Sequence, residues 1–118
     1  MLNFVQSAYS VIGGGTSNQE TGFTTTIGGG ASNNASGQAA TIGGGTTNNA
    51  SGANAVIAGG SSNAASGIQA AVAGGYGNVA SGRNAVIPGG AYNIASGLDS
   101  LAAGNASHAT YRRDIRVE

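Results

Sequence analysis

Apolar, small and polar residues return along this chain every 15 positions. An aliphatic column runs Ile12, Ile27, Ile42, Ile57, Val72, Ile87. Two glycine columns follow it. One is Gly14, Gly29, Gly44, Gly59, Gly74, Gly89, Gly104; the other is Gly15, Gly30, Gly45, Gly60, Gly75, Gly90, closing on Asn105. An asparagine column, Asn18, Asn33, Asn48, Asn63, Asn78, Asn93, begins as early as Asn3 and closes on His108. Ala-Ser-Gly columns complete the unit, from Ala35-Ser36-Gly37 to Ala95-Ser96-Gly97. So many columns held in phase without insertion are the mark of a repeat architecture.

Inside each unit the pattern alternates. Ala55 and Ile57 share a face, with Gly59 in phase; after a turn, Asn63, Ala65 and Gly67 share another. A period of two belongs to strands. A helix-pair repeat needs roughly 30 residues or more, and each glycine would cost a helix about 1 kcal/mol. The spacing predicts two strands per unit, around 53–58 and 63–67, with turns at Gly59-Gly60 and near Gly67. Pro88, with fixed φ and no N–H, suits a turn edge. The expected fold is all-β: a parallel β-solenoid, or β-roll, of about seven 15-residue coils over residues 1–109, then a charged C-terminal strand or cap at 110–118. Coils stacked about 4.8 Å apart would span about 34 Å. The core would be Ile or Val with Ala. The asparagine column would form a ladder of amides bonded from coil to coil, and the Ser36 to Ser96 column would bond turn backbone.

With Ile57 pointing inward, Val56 points outward, heading the column Val11, Thr26, Thr41, Val56, Ala71, Val86. That stripe is apolar or β-branched and uncharged. A coil of such small residues has little core of its own, so the stripe is expected to be a subunit interface in a symmetric homo-oligomer.

Composition sharpens this picture. Glycine makes up 23 of 118 residues, charged residues 7%, and cysteine is absent. Such a chain is short of large aliphatics for an ordinary core, and its strict period argues against the disorder that high glycine would otherwise suggest. The four basic residues, Arg83, Arg112, Arg113 and Arg116, make no basic patch on the body, so nucleic-acid binding is not expected. Without cysteine there are no disulfides or thiolate metal sites. The start, Met1 to Tyr9, lacks the basic and apolar regions of a signal peptide, and no apolar run is long enough to enter a membrane.

Candidate chemistry is sparse. The glycine triplets lack the lysine of a phosphate loop, and their repetition fits turns. Calcium-binding repeats need an aspartate in every turn, whereas the chain has only Asp99 and Asp114. His108 reads as an asparagine substitute in a terminal coil. No catalytic constellation is visible, and no cofactor or metal is expected. Tyr76 and Tyr92 read as equivalent positions one coil apart, with Arg83 following, and form a candidate ligand or partner surface. In the tail, Tyr111, Arg113, Ile115 and Val117 alternate with Arg112, Asp114, Arg116 and Glu118, as in one last strand whose charges blunt an open sheet edge or dock a neighbouring module.

The string Ala-Val-Ile-Ala-Gly-Gly-Ser-Ser-Asn-Ala-Ala-Ser-Gly, residues 55–67, resembles the head repeats of YadA-like trimeric autotransporter adhesins, and similar repeats occur in phage tail-fibre and spike proteins. The resemblance covers roughly residues 8–107. It implies a left-handed parallel β-roll assembled as a homotrimer about the fibre axis. The family's head repeat is usually nearer 14 residues and less rich in glycine triplets, and no neck, stalk or anchor follows here, so an intact autotransporter is not expected.

These readings converge on a non-enzymatic structural or adhesive fibre module, on a virion or extracellular surface. Its expected partners are itself, adjacent fibre modules through the tail, and a host glycan or matrix protein. The alternative is an ice-binding β-solenoid. It would need flat threonine arrays, and Thr24, Thr25, Thr26, Thr41, Thr46 and Thr47 cluster in the N-terminal half without any column keeping threonine throughout.

Overall fold

The structure, a computed structural model, describes residues 2–118. Residues at positive φ decide where its strands stop. In the central coil Asn54 has φ 57°, Gly60 91°, Ser62 57° and Gln69 59°. A ladder cannot run through such residues, so the extended segments shrink to Val56–Ile57 and Ala64–Ala65. The strands expected at 53–58 and 63–67 are therefore two residues long, and turns fill the rest of each coil. Gly60 is needed twice over: its φ is one that L-residues avoid, and a Cβ there would collide with the Gly75 carbonyl of the next coil.

Each short strand pairs in parallel with its equivalent one coil away. One sheet stacks eight: Phe4–Val5, Gln19–Glu20, Asn34–Ala35, Asn49–Ala50, Ala64–Ala65, Val79–Ala80, Ile94–Ala95 and His108–Ala109. The other stacks Val11–Ile12, Thr26–Ile27, Thr41–Ile42, Val56–Ile57, Ala71–Val72, Val86–Ile87, Leu101–Asn105 and Ile115–Val117. A third ladder, one residue wide, runs along one turn through Thr16, Ala31, Thr46, Ser61, Tyr76 and Ala91. The molecule is a parallel β-solenoid of about eight coils, one more than the period alone suggested, and extends 38 Å along its axis. A coil spacing of about 4.8 Å accounts for that length.

The core is narrow. Ile27, Ile42, Ile57, Val72 and Ile87 face a column of alanines, Ala35, Ala50, Ala65, Ala80 and Ala95, and all are buried. The small side chains let the two sheets approach closely, and backbone hydrogen bonds carry much of the cohesion. The Val56 N–H donates to the Ala70 carbonyl over 2.9 Å and the Ala58 N–H to Val72 over 3.0 Å, and the pattern repeats coil by coil. Pro88 occupies the column of Ala58 and Ala73 and has no N–H to continue it.

Just past Pro88 the period changes. Val86 pairs with Leu101, 15 residues on, but Gly90 pairs with Gly104 and Ile94 with His108, each 14 residues on. One residue has been lost from the turn, and this corrects three column assignments. Gly104, at φ 104°, belongs with Gly90 rather than Gly89. Asn105 pairs with Ala91. Ser107, not His108, ends the asparagine column, its N–H donating to Asn93 Oδ1 over 2.9 Å. His108 is exposed on the sheet surface beside Ile94. The tail follows the shortened coil: Ile115–Val117 pairs with Leu101–Ala103 as the last strand of the second sheet. Its side chains do not divide into inner and outer faces, since all three residues are exposed.

Candidate functional site

The asparagine column is the interior polar seam. Asn63 lies buried against the turn, and its amide is fully used. Nδ2 donates to the Gly59 carbonyl of its own coil at 3.1 Å and to the Gly75 carbonyl of the next at 3.0 Å. Oδ1 accepts the Asn78 N–H at 3.0 Å and Asn78 Nδ2 at 3.1 Å. The same backbone bonds recur at Asn18, Asn33, Asn48, Asn78 and Asn93. The expected amide-to-amide ladder is thus mainly amide-to-backbone; side-chain pairs occur at Asn18–Asn33 and Asn63–Asn78. The reason is local. Gly60 at positive φ turns the chain so that glycine carbonyls, rather than the next amide, face each Nδ2. The Ser36 to Ser96 hydroxyls, expected to bond the turns, have no hydrogen bond among the described residues; those serines lie at or near the surface.

The outward column forms a straight row on the second sheet. Val11, Thr26, Thr41, Val56, Ala71, Val86, Leu101 and Ile115 are in register, each the Cα partner of the next. Val11, Thr26, Val56, Val86 and Ile115 are exposed; Thr41, Ala71 and Leu101 are half-buried. The row carries no charge from one end of the stack to the other.

Tyr76 and Tyr92 meet, but not as equivalents. Tyr76 is bridged to Ala91 in the third ladder, and Tyr92 lies one column further, at φ 57°. Their rings pack edge to face with centroids 5.4 Å apart. Arg83 does not join them. It is exposed in the turn after Val79–Ala80, whereas the tyrosines flank the turn before such a strand. In Arg83's turn, Asn84 Nδ2 donates to Asp99 Oδ1 at 2.9 Å. A second edge-to-face pair, Tyr9 and Phe23, has centroids 5.8 Å apart. In the tail, Arg116 Nε pairs with Asp114 Oδ1 at 2.8 Å on the surface.

Glu20 escaped the sequence reading. It replaces alanine in the column of Ala35, Ala50 and Ala65, its side chain is wholly buried, and neither carboxylate oxygen has a hydrogen-bond partner among the described residues. Burial pushes its pKa up to about 7, against a smaller lowering by the backbone at Ile27. The signal was available: Glu20 is the only charged residue before Arg83.

Among the described residues no cavity opens and no group of three or more His, Cys, Asp or Glu side chains gathers to hold a metal. The chain matches no protein-family model and no curated protein.

Proposed function

We propose that this chain is a non-enzymatic structural and adhesive fibre module, assembled as a homotrimer through the Val11–Ile115 row, on a virion or extracellular surface. One observation carries the reading: an uncharged row of apolar and β-branched side chains runs in register along a rigid rod. A coil whose interior is mostly alanine and single aliphatics buries little apolar area, so covering this row adds the burial that the coil lacks. The in-register parallel ladders supply stiffness. The similarity of residues 55–67 to trimeric adhesin head repeats supports a threefold, left-handed assembly. The charged tail serves as a cap or as the contact with a neighbouring module.

Light scattering of the purified chain tests this proposal. A mass of three chains is expected; a monomer at all concentrations would overturn it.

A further inference from the structure

Tyr92 has a seat made for it. Its column carries Ser17, Ser32, Thr47 and Ser62 in the lower coils, but glycine at position 77, directly beneath Tyr92. A Cβ at Gly77 would come within 3.0 Å of the Tyr92 Cδ1 and 3.1 Å of Cε1. The ring therefore lies over the bare backbone of Gly77 and packs edge to face with Tyr76. The Tyr92 N–H also donates to the Tyr76 carbonyl over 2.9 Å, tying the two residues together through the main chain. Both residues remain exposed, Tyr76 at 48% and Tyr92 at 57%. Ser61 and Ser62 occupy the coil below, and Asn105 is exposed in the coil above. None of these residues is charged, and Arg83 and Asp99 are in the other turn.

We infer that Tyr76 and Tyr92 form a binding platform for a neutral pyranose saccharide. An aromatic face carries negative quadrupolar density, which the axial C–H groups of a pyranose ring complement. Two tyrosines held by backbone need little ordering on binding. The Ser61, Ser62 and Asn105 side chains flank them with donors and acceptors for sugar hydroxyls. An uncharged rim selects against sialylated or sulfated glycans, which would be drawn to Arg or Lys instead. This inference deepens the adhesive reading by naming a ligand class.

The test is a titration of the whole chain with cellohexaose, maltohexaose and chitotetraose, followed by NMR of the tyrosine ring signals. One of these sugars is expected to shift Tyr76 and Tyr92 saturably and to leave Tyr9 unmoved. Tyr76→Ser and Tyr92→Ser should each weaken binding by about tenfold, equivalent to about 1.4 kcal/mol. Serine is already found in both columns, at Ser61 and Ser62, so the coil tolerates it. No ring shift at millimolar sugar, or undiminished binding by the double variant, would overturn the inference. The readout is independent of mass: a monomer that binds sugar at these rings would defeat the trimer and keep the platform, and a trimer with silent rings would do the reverse.

Discussion

The Asn78 N–H donates to the Oδ1 of Asn63, one coil below, over 3.0 Å, while Asn63 Nδ2 reaches up to the Gly75 carbonyl over 3.0 Å. Each coil is stitched to the next in both directions by one side chain. Asn63→Ala removes all these bonds at once and leaves the part-buried Gly59 carbonyl and the buried Asn78 N–H without them, while the Gly75 carbonyl keeps the Ser61 N–H. A loss of about 3 kcal/mol is expected in urea unfolding. Asn63→Asp is the sharper probe. It keeps the shape but sets a second acceptor against the Gly59 and Gly75 carbonyls. Its destabilisation should match that of alanine at neutral pH and ease on acidification, when a protonated carboxyl can donate again. A loss independent of pH would show that packing rather than donation matters at this position.

The glycine columns look alike in sequence and differ in what they bear. A Cβ on Gly59 meets nothing within 4 Å, and its φ is not positive. A Cβ on Gly52 would run into the Gly67 carbonyl one coil above. Gly59→Ala should be neutral or stabilise by about 0.5 kcal/mol through the unfolded chain. Gly52→Ala should cost about 3 kcal/mol or more, because backbone rather than a yielding side chain blocks it. Thermal melts of the two variants side by side separate these outcomes; equal effects would mean that the coils can slide apart to admit a methyl group.

Periodicity reports which positions recur and is silent on which contact makes them recur. Alternation at Ala55, Ile57, Asn63 and Ala65 was enough to place the buried faces and the two strands of each coil. Strand length was not legible, because Asn54, Ser62 and Gln69 adopt positive φ without being glycine. The shortened last coil left a trace in the step from Ala95 to Ala109, but pairing was needed to see that it displaces His108 from the asparagine column. Tyr76 and Tyr92 are 16 positions apart, so the period alone does not relate them; contact between neighbouring columns does. Glu20 stands out as the only charge before Arg83, but a lone carboxylate in a polar stretch looks solvated until its strand's inward face is known.

That carboxylate gives the solenoid a pH dependence. The folded-state pKa of Glu20, about 7, lies above the ordinary value of 4.5, so the fold favours the neutral acid. Its neutral form is accommodated in full below about pH 4.5. Stability should fall as pH rises from there, and level off above about 7, where ionisation of a buried group weighs fully against folding. Glu20→Ala restores the residue of the column above it and should flatten this slope while raising the melting temperature at pH 8. The same slope in the variant would exclude Glu20 as its source.

The Val11–Ile115 row offers a direct test of assembly, because charge acts oppositely on a covered and an open surface. If the row is open to water, Val56→Glu and Val86→Glu together alter stability by no more than about 0.5 kcal/mol each. If it is covered by other copies, the two carboxylates lie two coils apart along the same row, and threefold symmetry would gather all their counterparts into one dry seam. Each would then lose its hydration with no cation on the row to meet it. The double variant is expected to drop from three chains to one in light scattering while keeping its β-type circular dichroism. A variant that remains trimeric would place the interface elsewhere on the rod, and the outward face of the first sheet, where Ala64, Val79 and Ile94 lie in register, would be the next surface to charge.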